Sequence, residues 1–150
     1  GDAVAEPKNV FVPIGTRIAD VVAFCGGYKQ EPKKIVMGGP MMGRATHSDE
    51  TPTVKNTGSL LCFGKETATV KTETGCINCG RCHHGCPFKL VPMLYADFYE
   101  RHDAESLDKF KVMQCMECGS CSYVCPARRP LSFTNKLAKG LVKEAAKKNG

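Results

Sequence analysis

The sequence has no tryptophan, and aromatic residues make up only 7% of its 150 positions. No run approaches the roughly 18 apolar residues of a membrane-spanning helix. The longest apolar stretch, Val21 to Cys25, reads as one helix face. The opening residues, Gly1-Asp2-Ala3-Val4-Ala5-Glu6-Pro7, show neither the basic segment nor the apolar core of a signal peptide. No G-x-G-x-x-G follows a strand pattern, and there is no Walker-type loop. These gaps predict a chain without a transmembrane segment of its own and without a visible NAD or flavin site.

Cysteine is the residue in excess, at ten. Ten in a small secreted chain would mean a disulfide framework. Their spacing argues otherwise. Cys76, Cys79, Cys82 and Cys86 read C-x2-C-x2-C-x3-C, and Cys115, Cys118, Cys121 and Cys125 repeat the pattern. Each run ends in proline, Pro87 and Pro126. Such runs ligate [4Fe–4S] clusters through reduced thiolates, which places the chain in a cytosol-like compartment.

A four-iron cube presents its corners close together. Two-residue gaps bring three thiolates around it from one tight loop, and by the fourth cysteine the chain has turned away. In two-cluster ferredoxins that fourth sulfur ligates the other cluster. The first cluster is therefore assigned to Cys76, Cys79, Cys82 and Cys125, and the second to Cys115, Cys118, Cys121 and Cys86. Gly80 and Gly119 share one slot, where a side chain is expected to crowd the cluster or its backbone. Ile77 and Met116 also correspond and are expected to shield the clusters. Each cluster would pass one electron, with the cysteines acting as ligands and not as nucleophiles. The competing reading is a zinc-stabilised interaction module, since Zn²⁺ takes four ligands, commonly as two separated C-x2-C pairs.

The formal charge is +6. Two cluster cores with their thiolates would remove roughly 2 charges each. The basic balance is thus poor evidence for a nucleic-acid partner, and none is expected.

Along the chain, strand and turn patterns precede residues 65–75 and cysteine loops with short helices follow. Asn9 to Ile14 reads as a strand. Thr16 reads as the N-cap of a helix with Ile18, Val21, Val22 and Cys25 on one face, ended by Gly26-Gly27. Lys33 to Met37 reads as a second strand, Gly38 to Gly43 as a turn whose methionines fill core space, and Thr51 to Lys55 and Ser59 to Phe63 as further strands. The order suggests a β-grasp type α+β sheet over residues 1–65. A polar linker follows at 66–75, with one edge strand at Ala68 to Lys71. In residues 76–150, helices are expected from Pro92 to His102, from Ala104 to Met113 behind the cap Asp103, and after Ser132 with Phe133, Leu137, Leu141 and Ala145 inward. The fold class is α+β: a small β-grasp module, then a mainly α-helical ferredoxin domain with two clusters.

Cys25 and Cys62 read as buried small residues. His83 and His84 read as loop residues, because four thiolates already complete each site. Lys136, Lys139, Lys143 and Lys147 line one side of the last helix and read as a solvated face that an acidic partner or anionic lipid would also fit.

The cysteine loops, Leu90-Val91-Pro92, Pro130-Leu131 and the upstream Ile14-Gly15-Thr16, Gly38-Gly39-Pro40-Met41-Met42-Gly43 and Pro52-Thr53-Val54-Lys55 together resemble the C subunit of the Rnf electron-transport complex. The resemblance covers nearly the whole chain. It implies a soluble-ligand-binding β-grasp module ahead of the two clusters. It also implies a peripheral position on the cytoplasmic side of the cell membrane. The implied partners are the other subunits of a membrane-bound complex and, indirectly, ferredoxin. In that family a flavin and NADH-binding domain precedes the β-grasp, so this chain reads as a fragment that keeps the electron relay. Cobalamin reductases of bacterial microcompartments look similar and stand as the alternative.

Overall fold

The amphipathic run after Arg17 forms helix α1, Ile18–Phe24, in the computed structural model, which describes residues 1–70 and 72–148. The chain divides into two compact units, Gly1–Val70 and the remainder.

In the N-terminal unit, α1 buries Ile18, Val21 and Val22. Ile18 and Val22 join Cys25, Ala3, Val4, Ile35 and Cys62 in one apolar core. Three strands form an antiparallel sheet in the order β2-β1-β3: β1 Lys34–Met37, β2 Arg44–Thr46 and β3 Leu60–Phe63. Ile35 pairs with Cys62, and Val36 with Ala45.

Thr16 does not cap α1. Its hydroxyl donates to Pro13 O at 2.8 Å. The first-turn amides of Ile18 and Ala19 donate instead to the carbonyls of Thr51 and Asp49, at 3.1 and 2.8 Å. A neighbouring loop thus satisfies donors that a cap would have served.

Two expected strands are absent. Asn9 to Pro13 has no regular secondary structure and Ile14 enters a turn, with Phe11 and Ile14 exposed. Among the described residues no strand pairs with it, and an apolar run without a neighbour has no ladder to join. It lines a broad groove together with residues of α1 and β3. Thr51 to Lys55 makes only a single bridge, Arg17 with Pro52. Pro52 has no N–H to extend it. The Gly38–Gly43 turn forms as expected, but Met41 and Met42 are exposed and fill no core. A Cβ on Gly43 would run into Gly39 O and Val36 Cγ1. The polar segment after β3 carries a short helix, α2 Lys65–Ala68, where an edge strand was expected to begin. The end of that expected strand, residue 71, lies outside the described residues.

The C-terminal unit is helical: α3 Arg81–His84, α4 Pro92–Glu100, α5 Ala104–Lys109, α6 Ser120–Tyr123 and α7 Leu131–Lys148. Pro92 starts α4 as expected. Asp103 caps α5, accepting the Ser106 N–H at 2.9 Å. That helix stops short of Met113 because Lys111 is left-handed, at φ 61°, and a 3₁₀ turn follows at Val112–Gln114. Tyr95 is fully buried with Leu107, Val112 and Ala138, and its hydroxyl donates to Phe110 O at 2.6 Å.

Helix α7 buries Leu131, Asn135 and Ala138. Phe133 and Leu137 are exposed, so its inner face is rotated from the one expected. Ser132 lies inside the helix, and its N–H donates to Ser122 Oγ at 2.8 Å.

Candidate functional site

Cys76 to Cys115 is a step of 39 residues, and the same step relates the backbone of the two cysteine loops. Asn78 and Glu117 are left-handed, at φ 53° and 59°. So are Gly80 and Gly119, at 73° and 82°, and Lys89 and Arg128, at 53° and 57°. Such turns aim successive N–H groups into a concavity that suits an anion or an iron–sulfur core. The Glu117 N–H donates to Cys115 Sγ at 3.4 Å. The glycine slot is therefore explained by its positive φ. A Cβ on Gly80 would meet nothing in the protein closer than His84, at 3.8 Å; crowding is not the reason for that glycine.

After each left-handed glycine a one-turn helix, α3 or α6, carries the third cysteine inward. Cys82 and Cys121 are the buried members, whereas Cys76 and Cys79 are exposed and Cys115 and Cys118 half-buried. Burial pushes the Cys82 thiol up and the Cys121 thiol up to about 11. Hydrogen bonding to the Ser120 hydroxyl and backbone holds Cys118 below the usual thiol range. Ligation requires thiolates, so metal loading at neutral pH must expel the proton from each buried thiol.

Two hollows of similar size lie over these loops. The first is lined by Cys76, Cys79, Cys82 and Cys125. The second is lined by Cys86, Cys115, Cys118 and Cys121. Each gathers three cysteines from one loop and the last cysteine of the other. Ile77 and Met116 line their respective hollows but keep more than half of their surface exposed.

The donor set fits a cluster better than a lone ion. Among the described residues, no group of three or more His, Cys, Asp or Glu side chains is set to hold a single metal ion. Zinc draws each thiolate to about 2.3 Å, so its four sulfurs must converge on one point. A four-iron cube holds its corners apart and needs a wider ring of sulfurs. The two histidines stay outside this ring: His83 Nδ1 lies 3.0 Å from Leu90 O, and His84 is exposed.

The 39-residue step also exposes differences. Met93 lines the first hollow, its sulfur 3.6 Å from Cys82 Sγ; Ser132 takes the matching place at the second. Arg129 lines the first hollow and pairs with Glu73 and Glu100 at 3.3 and 3.2 Å. Its counterpart in the first repeat is Leu90. Lys139, read from sequence as part of an exposed lysine stripe, is mostly buried. It donates to Glu117 at 2.6 Å and to Cys115 O at 3.0 Å. Asn135, on the same face of α7, places Nδ2 3.5 Å from Cys115 Sγ. None of Met93, Arg129, Asn135 and Lys139 was singled out from sequence for a place at these sites. Overlaying the repeats at a step of 39, with α4 against α7, is the signal that finds them.

Comparison with known proteins finds two domain families along the chain. Residues 1–45 match the SLBB domain family, and residues 68–126 match the 4Fe-4S dicluster domain family. The chain is 40% identical over 139 residues to the C subunit of the Na(+)-translocating ferredoxin:NAD(+) oxidoreductase complex of Acetobacterium woodii, covering 93% of this chain and 31% of that protein. It is 45% identical over 94 residues to the C subunit of the proton-translocating ferredoxin:NAD(+) oxidoreductase complex of Clostridium ljungdahlii, or 63% of this chain and 21% of that one. The C subunit of the ion-translocating oxidoreductase complex of Rhodobacter capsulatus is 40% identical over 145 residues, 96% of this chain and 28% of its own. The chain spans less than a third of the length of these relatives.

Proposed function

For a chain homologous to the C subunit of Rnf-type ion-translocating oxidoreductases, we propose the role of an electron relay within such a complex. The observation that carries this reading is the pair of hollows, each ringed by three cysteines of one loop and the fourth of the other. Cys76, Cys79, Cys82 and Cys125 would hold one [4Fe–4S] cluster, and Cys115, Cys118, Cys121 and Cys86 the second. When bound, each cluster supplies a one-electron redox centre. The chain's own residues supply the rest. The cysteine thiolates fix position, the left-handed turns direct amide donors inward, and the prolines after Cys86 and Cys125 carry the backbone away.

The relay would connect ferredoxin-side subunits with a flavin or NAD site elsewhere in the assembly. The chain would sit peripherally, on the cytoplasmic side of the membrane. Among the described residues no helix is long and apolar enough to cross a membrane. The relatives' names differ in the ion, Na⁺ or H⁺, so the proposal leaves the ion open. The β-grasp reading of the N-terminal unit rests on one helix sharing a core with a small antiparallel sheet and on the family match there.

Anaerobic reconstitution of the chain tests the relay. About eight iron and eight sulfide per chain, visible absorption that bleaches on reduction, and a reduced-state EPR signal are expected. A colourless protein that takes up zinc and no iron would overturn it.

A further inference from the structure

Asn135 sits at the second hollow, where only 1% of its surface reaches solvent. Its Nδ2 donates toward Cys115 Sγ at 3.5 Å. Its Oδ1 is buried with no hydrogen-bond partner. One step of 39 residues back, the matching position is Ala96, also 1% exposed. An alanine therefore satisfies the packing demand at this place in the fold. A buried amide is costly unless bonded, and an orphaned buried oxygen calls for an explanation. Filling space does not provide one.

The surroundings of the second site favour a fixed amide donor, whereas at the first site the side-chain donor beside a cysteine, Cys76, is the mostly buried Arg129. Cys76 and Cys79 are exposed, so water can donate to their sulfurs, whereas Cys115 and Cys118 are half-buried. Helix α7 also holds its distance from the second loop. Lys139, one turn beyond Asn135, bonds both Cys115 O and Glu117, and the Ser132 N–H bonds Ser122 Oγ. The amide is thereby held against the sulfur it faces.

We propose that Asn135 is a positioning residue of the second site, donating its side-chain N–H to the Cys115 sulfur and raising that site's reduction potential. The proposal rests on the cluster reading above. Reduction adds one electron and no proton, and the added negative charge spreads onto the sulfurs. A donor aimed at a sulfur stabilises the reduced form more than the oxidised form, and hydrogen bonds to sulfur are among the determinants of cluster potential. The first site, with Ala96 at the matching position, has no such donor there.

The test is an EPR-monitored redox titration of the reconstituted full chain, comparing the wild type with Asn135→Ala and Asn135→Leu. The leucine variant fills the space without a donor and guards against a cavity effect. About eight iron atoms are expected in each protein. In both variants one midpoint should fall, with the reduction equilibrium weakened by up to about tenfold, or 59 mV for a one-electron couple. The other midpoint should stay in place. The signal that moves should be the one missing in Cys118→Ser. Unchanged midpoints in both variants, or an equal fall of both midpoints, would overturn the assignment. A wild type that takes up no iron would sink the relay reading itself, which is a separate result.

Discussion

The two units use cysteine in opposite ways. In the N-terminal unit Cys25 and Cys62 are buried among Ala3, Ile18, Val22 and Ile35, as small apolar side chains. In the C-terminal unit eight cysteines surround two hollows, and those that face away from the cores are exposed or half-buried. Residue type alone separates nothing here. What separates the two uses is backbone: left-handed turns every few residues in one case, a helix end and a strand in the other. The contrast teaches that one unit finds its cohesion in an apolar core alone, while the other adds to its apolar clusters a pair of sites for a guest.

Stripping the iron under anaerobic conditions should break this contrast most severely. The C-terminal unit is expected to lose fixed structure around both loops, since metal-binding free energy is folding free energy where the site is not preformed. The N-terminal unit should keep its signals, read residue by residue in two-dimensional NMR spectra. Equal loss in both units would erase the distinction.

Single ligand replacements sharpen it next. Cys125→Ser should remove the same EPR species as Cys76→Ser and leave about four iron atoms, and Cys86→Ser should match Cys118→Ser. If Cys125→Ser instead matched Cys118→Ser, the ligands would not be crossed.

Core truncation reverses the roles. Ile18→Ala should destabilise the N-terminal unit by about 2–5 kcal/mol, and Cys62→Ala by about 1 kcal/mol, in urea unfolding followed at that unit. Neither should change the iron content. The smallest effect is local: Asp103→Ala removes the acceptor of the Ser106 amide, so hydrogen exchange at that amide should quicken while the iron count holds.

The two cysteine loops were legible because each set of four cysteines lies within one short stretch, where spacing alone restricts geometry. Helix α1 and strands β1 and β3 were legible from apolar periodicity. The losses have particular causes. Asn9 to Ile14 reads as a strand, but strand formation needs a neighbour, and periodicity says nothing about neighbours. Strand β2, Arg-Ala-Thr, shows no apolar alternation and is held by pairing with β1. On α7 a polar residue occupies an inner position, so the search for an apolar face chose Phe133 and Leu137 and passed over Asn135. Lys139 looked like one lysine of a stripe until Glu117 and Cys115 O, more than 20 residues away, came to meet it.

The proposed exchange of fourth ligands between loops also bears on biogenesis. Cys76, Cys79 and Cys82 leave the ribosome well before Cys125, the partner they share a hollow with. On the proposed ligation, the earlier three complete no four-thiolate centre until the later one has been translated, so completion of the first cluster is expected only after residue 125 has emerged. Ribosome-bound chains halted ahead of residue 125 should therefore carry no complete cluster in the first hollow, as iron analysis of the stalled complexes would show.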